Sequence, residues 1–191
     1  MGASSTRVLT GLHDVELAAL AAAGGRREFG ELVRRHGSAV RGLLRRMGAD
    51  PASADDLAQD AFLIAFERVA EFRGEGTFVA WVRRIAARLY LKRRARDAQT
   101  VLEADPREPE PVETYADAGS RIDLDEALNG LSKAERLSVS LCYGAGLSHT
   151  EVAEALNIPL GTVKSHVKRG LDKLRERLAQ EVVGAGSVAH G

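Results

Sequence analysis

The chain has a single cysteine, Cys142, among its 191 residues. No internal disulfide can form, and no Cys/His spacing suits a metal, so neither a disulfide framework nor a zinc module holds the fold. Cys142 follows Leu141 in an apolar helical stretch, where a buried and inert thiol is expected. Long hydrophobic runs are missing too: nothing approaches the ~18 residues that cross a bilayer. Leu17 to Ala23 is apolar, but Asp14 and Glu16 precede it and Arg7 is the lone cation ahead of it. That is not a secretory signal pattern, and the cytoplasm is the expected compartment. Nucleophile–base–orienter sets and phosphate-cradling glycine loops are likewise lacking, so no enzyme activity, cofactor or small-molecule substrate is expected.

Net charge is absent as well, with 27 Lys+Arg against 27 Asp+Glu. The zero hides a partition. Residues 26–97 hold 16 cations and 10 anions, residues 98–120 hold 1 and 6, and residues 121–191 hold 9 of each. A basic domain beside an acidic linker, in a neutral chain, argues against a DNA binder that acts alone. A partner is expected to supply part of the affinity.

What is present is helical periodicity. Asp14 can cap a short helix through Ala23, closed by Gly24-Gly25. A helix from Glu28 to Met47 follows, with Phe29, Leu32, Val33, Val40, Leu43 and Leu44 on one side, until Gly48 and Pro51 break it. The next helix, Ser53 to Glu71, turns Leu57, Ala61, Phe62, Ala65, Phe66 and Val69 inward. Asp55, Asp56, Gln59 and Asp60 crowd its first turns, where the helix dipole favours anions. On spacing alone they serve equally well as a solvated face or as an acidic docking surface.

After the turn Arg73-Gly74-Glu75-Gly76-Thr77, a helix from Phe78 to Arg96 points Phe78, Val82, Ile85 and Leu89 inward. Arg84, Arg88 and Lys92 stand one turn apart on another face. So many like charges repel one another, and a phosphate backbone would relieve them. Trp81 and Tyr90 interleave rings with these cations. Trp81 reads either as a platform for an unstacked base or as an aromatic at the core's edge. Residues 98–120 lack periodicity and carry Pro106, Pro109 and Pro111, the composition of a linker. About 23 flexible residues average roughly 25–30 Å between ends.

A second domain begins near Ile122, with Leu124, Ala127, Leu128 and Leu131 on one face. Ser132 and Glu135 form a capping box, and Leu137, Leu141 and Ala145 lead to the closing glycines Gly144 and Gly146. Ser148 and Glu151 form another box, Asn157-Ile158-Pro159 a turn, and Val163, Val167, Leu171, Leu174 and Leu178 one buried stripe. Thr162, Lys164, Ser165, His166, Lys168 and Arg169 face the other way. This is a helix-turn-helix with donors and cations near the start of its second helix, as a major-groove reader needs. The expected fold is all-α: two small helical domains, 26–97 and 121–183, joined by the acidic linker 98–120. Residues 1–25 form an N-terminal extension with a short helix, and 184–191 a disordered tail.

DDLAQDAFLIAFERVAEFRGEGTFVAWVRRIAARLYLKRR, followed by the linker and LSHTEVAEALNIPLGTVKSHVKRGLDKLRERL, resembles a bacterial RNA polymerase sigma factor of the extracytoplasmic-function group. The likeness covers residues 14–180 with two motifs in order. It implies core RNA polymerase and promoter DNA as partners and leaves open whether an anti-sigma factor restrains the protein. It implies that Asp56, Gln59 and Asp60 dock on the polymerase. It implies that Phe72, Arg73, Phe78, Trp81, Arg84, Arg88 and Lys92 contact the melted proximal promoter element. Thr162, Lys164, Ser165, His166, Lys168 and Arg169 would read the distal element as duplex.

Two positions depart from the family pattern. Arg88 stands where many relatives have Asn, which favours a phosphate contact over a base edge. His166 stands where Arg is frequent, and a neutral imidazole cannot copy the Arg fork on guanine. Two other functions compete. GLSHTEVAEALNI…TVKSHV also resembles the output domain of response regulators, which bind palindromic DNA as dimers without polymerase. The first domain, with its acidic helix and aromatic-basic helix, fits no sensor or dimerisation module. A helical decoy that binds partners without DNA is disfavoured by the cationic face.

Overall fold

The computed structural model describes residues 9–103 and 124–187, and every regular element among them is helical. In chain order they are α1 (Asp14–Ala22), α2 (Arg26–Met47), α3 (Pro51–Glu67), a 3-10 turn (Val69–Glu71) and α4 (Phe78–Glu103). Then come α5 (Leu124–Asn129), α6 (Lys133–Val139) running into a π turn (Ser140–Gly144), α7 (His149–Leu156) and α8 (Leu160–Ser187). Two compact units divide them, the first holding α1, nearly all of α2, α3 and α4, the second α5–α8. Among the described residues no helix is long and apolar enough to cross a membrane.

In the first unit α3 packs on α4, and α1 packs on the 3-10 turn. Ala54, Ala58, Ala61 and Ala65 of α3 and Ala86 and Ala87 of α4 are buried, and such small residues let helix backbones approach closely. Leu17, Leu32, Val40, Leu43, Leu44 and Val82 fill the remaining core. The inward stripe of α4 is Phe78, Val82, Ala86, Ala87 and Leu91, whereas Ile85 and Leu89 are only half-buried. Sequence spacing favoured the larger side chains; the close neighbour admits alanine there instead.

Boundaries also shift. His13, not Asp14, caps α1: its Nδ1 accepts from the Val15 N–H at 3.4 Å, and the Glu16 carboxylate accepts from the His13 N–H at 2.7 Å. The Ser53–Glu71 helix starts at Pro51, whose missing N–H is harmless in a first turn, and stops at Glu67 before the 3-10 turn. The α4 helix runs seven residues past Arg96, so the linker's first residues are helical, while 104–120 lie outside the described residues, as does Ile122.

The second unit is held by α6 and α7 packing on α8, with α5 also against α8. Both capping boxes are present: Ser132 Oγ accepts from the Glu135 N–H at 3.3 Å, and Ser148 Oγ from the Glu151 N–H at 3.2 Å. Asn157 closes α7 in the left-handed conformation, φ 52° and ψ 47°, the one non-glycine with positive φ among the described residues. Pro159 lies just ahead of α8, and its carbonyl accepts from the N–H groups of Thr162 and Val163. Val163, Val167 and Leu174 are buried as the stripe required, and Leu171 is partly buried. The side chain of Leu178 lies outside the described residues, and α8 continues to Ser187, into the segment expected as tail.

Candidate nucleic-acid interface

The stretch between the 3-10 turn and α4 turns through two left-handed glycines, Gly74 (φ 77°) and Gly76 (φ 84°). Thr77 caps α4, its Oγ1 accepting from the Ala80 N–H at 3.3 Å and its carbonyl from the Trp81 N–H at 3.2 Å. Four rings then meet. Phe72 and Phe78 stand edge-on at 5.5 Å, Trp81 lies 5.7 Å from Phe72 and 5.8 Å from Phe78, and Phe29 is 6.2 Å from Phe78. Phe72 and Trp81 are half-buried, so each keeps an open flank. Phe78 is 1% exposed. Its expected contact with DNA is therefore corrected: the ring is the buried backing of Phe72 and Trp81, because an inward position at the start of α4 leaves it no surface. Arg73, Arg84, Arg88 and Lys92 are exposed, the last three in register along α4. Rings with an open flank beside a row of cations can stack bases and track a phosphate backbone.

Asp56, Gln59 and Asp60 are exposed on α3, and Asp55 pairs with Arg41 at 3.5 Å. Beside them lies a groove of about 970 Å³ lined by Phe29, Val33, Gln59, Phe62, Leu63 and Phe66 among others. Leu63 is 58% exposed, one turn beyond Gln59 and Asp60. The acidic surface is thus continuous with an apolar one, which sequence reading missed. The signal was there: Leu63 stands outside the inward stripe yet is large and apolar.

On α8, Lys164, Ser165, Lys168 and Arg169 are exposed, and Thr162 and His166 half-buried, all opposite Val163 and Val167. The Ser165 hydroxyl donates back to the Gly161 carbonyl at 2.9 Å. Arg169 Nη2 lies 3.1 Å from His166 Nδ1. A guanidinium only donates, so in this pair the ring nitrogen is the acceptor.

Glu135 is the residue that spacing did not single out for this face. It is 4% exposed, completes the Ser132 box by accepting from the Ser132 N–H at 3.0 Å, and reaches α8 as well. There it meets Lys173 Nζ at 2.8 Å and Arg169 Nε at 3.5 Å. The Lys173 bond, above all, draws its carboxyl from 4.5 to about 2. That reach depends on Gly170: a Cβ there would stand 2.8 Å from a Val139 methyl and 3.6 Å from the Glu135 Cβ. Cys142 is half-buried rather than buried as expected, and what burial it has pushes its thiol pKa up. Among the described residues no group of three or more His, Cys, Asp or Glu is placed to hold a metal.

Residues 32–100 match the family model of sigma-70 region 2, and residues 127–176 that of sigma-70 region 4. The RNA polymerase sigma factor NccH of Alcaligenes xylosoxydans xylosoxydans is 32% identical over 181 residues, covering 89% of this chain and 97% of NccH. The chain belongs to the sigma-70 family, in its extracytoplasmic-function group. SigW of Bacillus subtilis, an ECF RNA polymerase sigma factor, is 30% identical, covering 78% of this chain and 88% of its own. SigE of Mycolicibacterium smegmatis, also an ECF sigma factor, is 35% identical, and the match spans 61% of its length. The fold is that of RpoE from Bartonella quintana, solved with the anti-sigma factor NepR: TM-score 0.57, 24% identity, covering 80% of this chain and 98% of that one. The protein is a sigma factor, and the helix-turn-helix is not that of a stand-alone regulator.

Proposed function

We propose that this sigma factor binds core RNA polymerase through the acidic and apolar face of α3, with Asp56, Gln59 and Asp60 as its polar contacts. The region 2-like domain, 26–97, then opens the proximal promoter element. Phe72 and Trp81 receive an unstacked base, while Arg73, Arg84, Arg88 and Lys92 neutralise the strand's phosphates. The region 4-like domain, 121–183, lays the start of α8 in the major groove of the distal element, with Thr162, Lys164, Ser165, His166, Lys168 and Arg169 toward the DNA. The linker 98–120 spans the two domains. The protein contributes no covalent chemistry of its own and acts in the cytoplasm beside the polymerase.

One observation carries this reading: a single chain presents, in order, an acidic–apolar helix face, a ring cluster edged by cations, and a cationic reading helix. None of the three suffices alone in a protein of zero net charge. Run-off transcription with core polymerase plus this protein, beside a gel shift of the protein alone, tests it. Initiation that needs both components is expected. Tight DNA binding alone, with no polymerase-dependent initiation from any genomic fragment, would sink it.

A further inference from the structure

One guanidinium gathers the segment ahead of α1. Arg35 Nη2 donates to the carbonyls of Leu9 and Thr10 at 2.9 and 3.0 Å, and Nη1 to the Leu12 carbonyl and Asp14 Oδ1 at 2.8 and 3.0 Å. Its Nε is held by Glu31, a carboxylate only 6% exposed, at 2.9 Å. Asp14 Oδ2 lies 2.6 Å from His36 Nε2, and the His36 ring lies 5.9 Å from Phe78, the buried ring behind Phe72 and Trp81. So charged side chains on α2 fix the start of α1, and through His36 the same pair touches the ring cluster. Leu17, Ala18 and Ala21 are buried, and α1 packs on the 3-10 turn from which the loop 72–77 departs.

The loop itself needs outside support. Two left-handed glycines within three residues give its backbone several conformations of similar energy. Val15 faces it: a Cβ built on Gly74 would lie at van der Waals distance from its two γ-methyls, 3.6 and 3.7 Å, so the two residues are neighbours. A β-branched side chain is stiff, so those methyls are a fixed wall rather than a mobile one.

We propose that α1 is the support of the loop 72–77, and that Val15 is a positioning residue which sets how sharply that loop distinguishes the promoter base it holds. This rests on the base-holding role given under Proposed function to Phe72, the first residue of that loop. The N-terminal extension thereby takes part in base selection without touching DNA. Val15 is 42% exposed, so replacing it does not threaten the core.

The test uses the full chain with core polymerase. A promoter is selected from a randomised library by the wild-type holoenzyme, and four versions are made that differ only at the non-template base most reactive to permanganate. Val15→Ala should compress the ratio of initiation on the best base to that on the worst by roughly twofold or more, the lower end of coupling between neighbouring groups. Val15→Ile, which keeps both γ-carbons, should restore the wild-type ratio. Core affinity and thermal midpoint should match wild type in both. A merely structural role would lower initiation on all four bases alike, so an unchanged ratio in Val15→Ala overturns the inference. A wild-type holoenzyme that initiates equally on all four bases overturns the loop's role itself, and the inference with it.

Discussion

Replacing Glu135 by Gln removes a charge and almost nothing else. Gln can still serve as the third residue of the Ser132 capping box, so the α6 start keeps its partner. What is lost is the ionic hold on Lys173 and Arg169. The fall of the Glu135 carboxyl from 4.5 to about 2 sets a ceiling of roughly 3 kcal/mol at neutral pH. Lys173 and Arg169 are 50% and 59% exposed, so solvent screens much of it, and about 1–2 kcal/mol is expected. The sign in pH follows from the depressed value. Glu135 stabilises the second unit fully above about 4.5, and that share drains away as pH falls toward about 2. Glu135→Gln has no such dependence, so the gap between the two proteins should be constant from pH 7 to about 5 and narrow below it. The single tryptophan, Trp81, lies in the first unit and is blind to this change. Amide hydrogen exchange in α6 and α8, corrected for intrinsic rates between pH 3 and 7, reads it directly. A gap that stays constant down to pH 3, or widens on acidification, would refute the ionic account.

Three further outcomes are expected. Gly170→Ala gains about 1 kcal/mol of helix propensity but forces a methyl to 2.8 Å from the stiff Val139 side chain. Overpacking costs about 1–3 kcal/mol, so calorimetry should find the second unit less stable, and an unchanged or raised midpoint contradicts the close α6–α8 contact. Asp56→Arg should weaken the complex with core polymerase at least about tenfold, with the circular dichroism of the free protein unchanged; wild-type affinity refutes docking through that face. Lys164→Ala combined with Arg169→Ala should reduce initiation through the distal element more than core binding and flatten the log–log salt dependence by about two phosphate contacts. Equal loss of both activities counts against direct reading.

Local signals were the legible ones. Ser132–Glu135 and Ser148–Glu151 appear as capping boxes because a box needs only residues three apart. The stripe of α8 and the exposed set opposite it follow from a period of 3.6, which no distant contact alters here. Phe78 was a partial failure, placed both inward and at the DNA, because spacing cannot weigh a ring's burial against its neighbours. Sequence favours Asp14 as the cap of α1, since histidine is not a usual cap. Asp14 is instead occupied by Arg35 and His36, which stand 21 and 22 residues further along the chain.

The sequence by itself determined that this is an all-helical chain with a cationic reading helix, and its two motifs in order place it among the sigma factors. Periodicity and end-capping chemistry act within one or two turns, so they are written in the order of residues. The tertiary structure decided the rest: that Glu135 holds Arg169, that Gly170 lets α6 come close enough for it, and that Val15 is brought beside Gly74. Each of these joins residues from different elements, where distance in space, burial and charge settle the outcome and spacing along the chain carries no information.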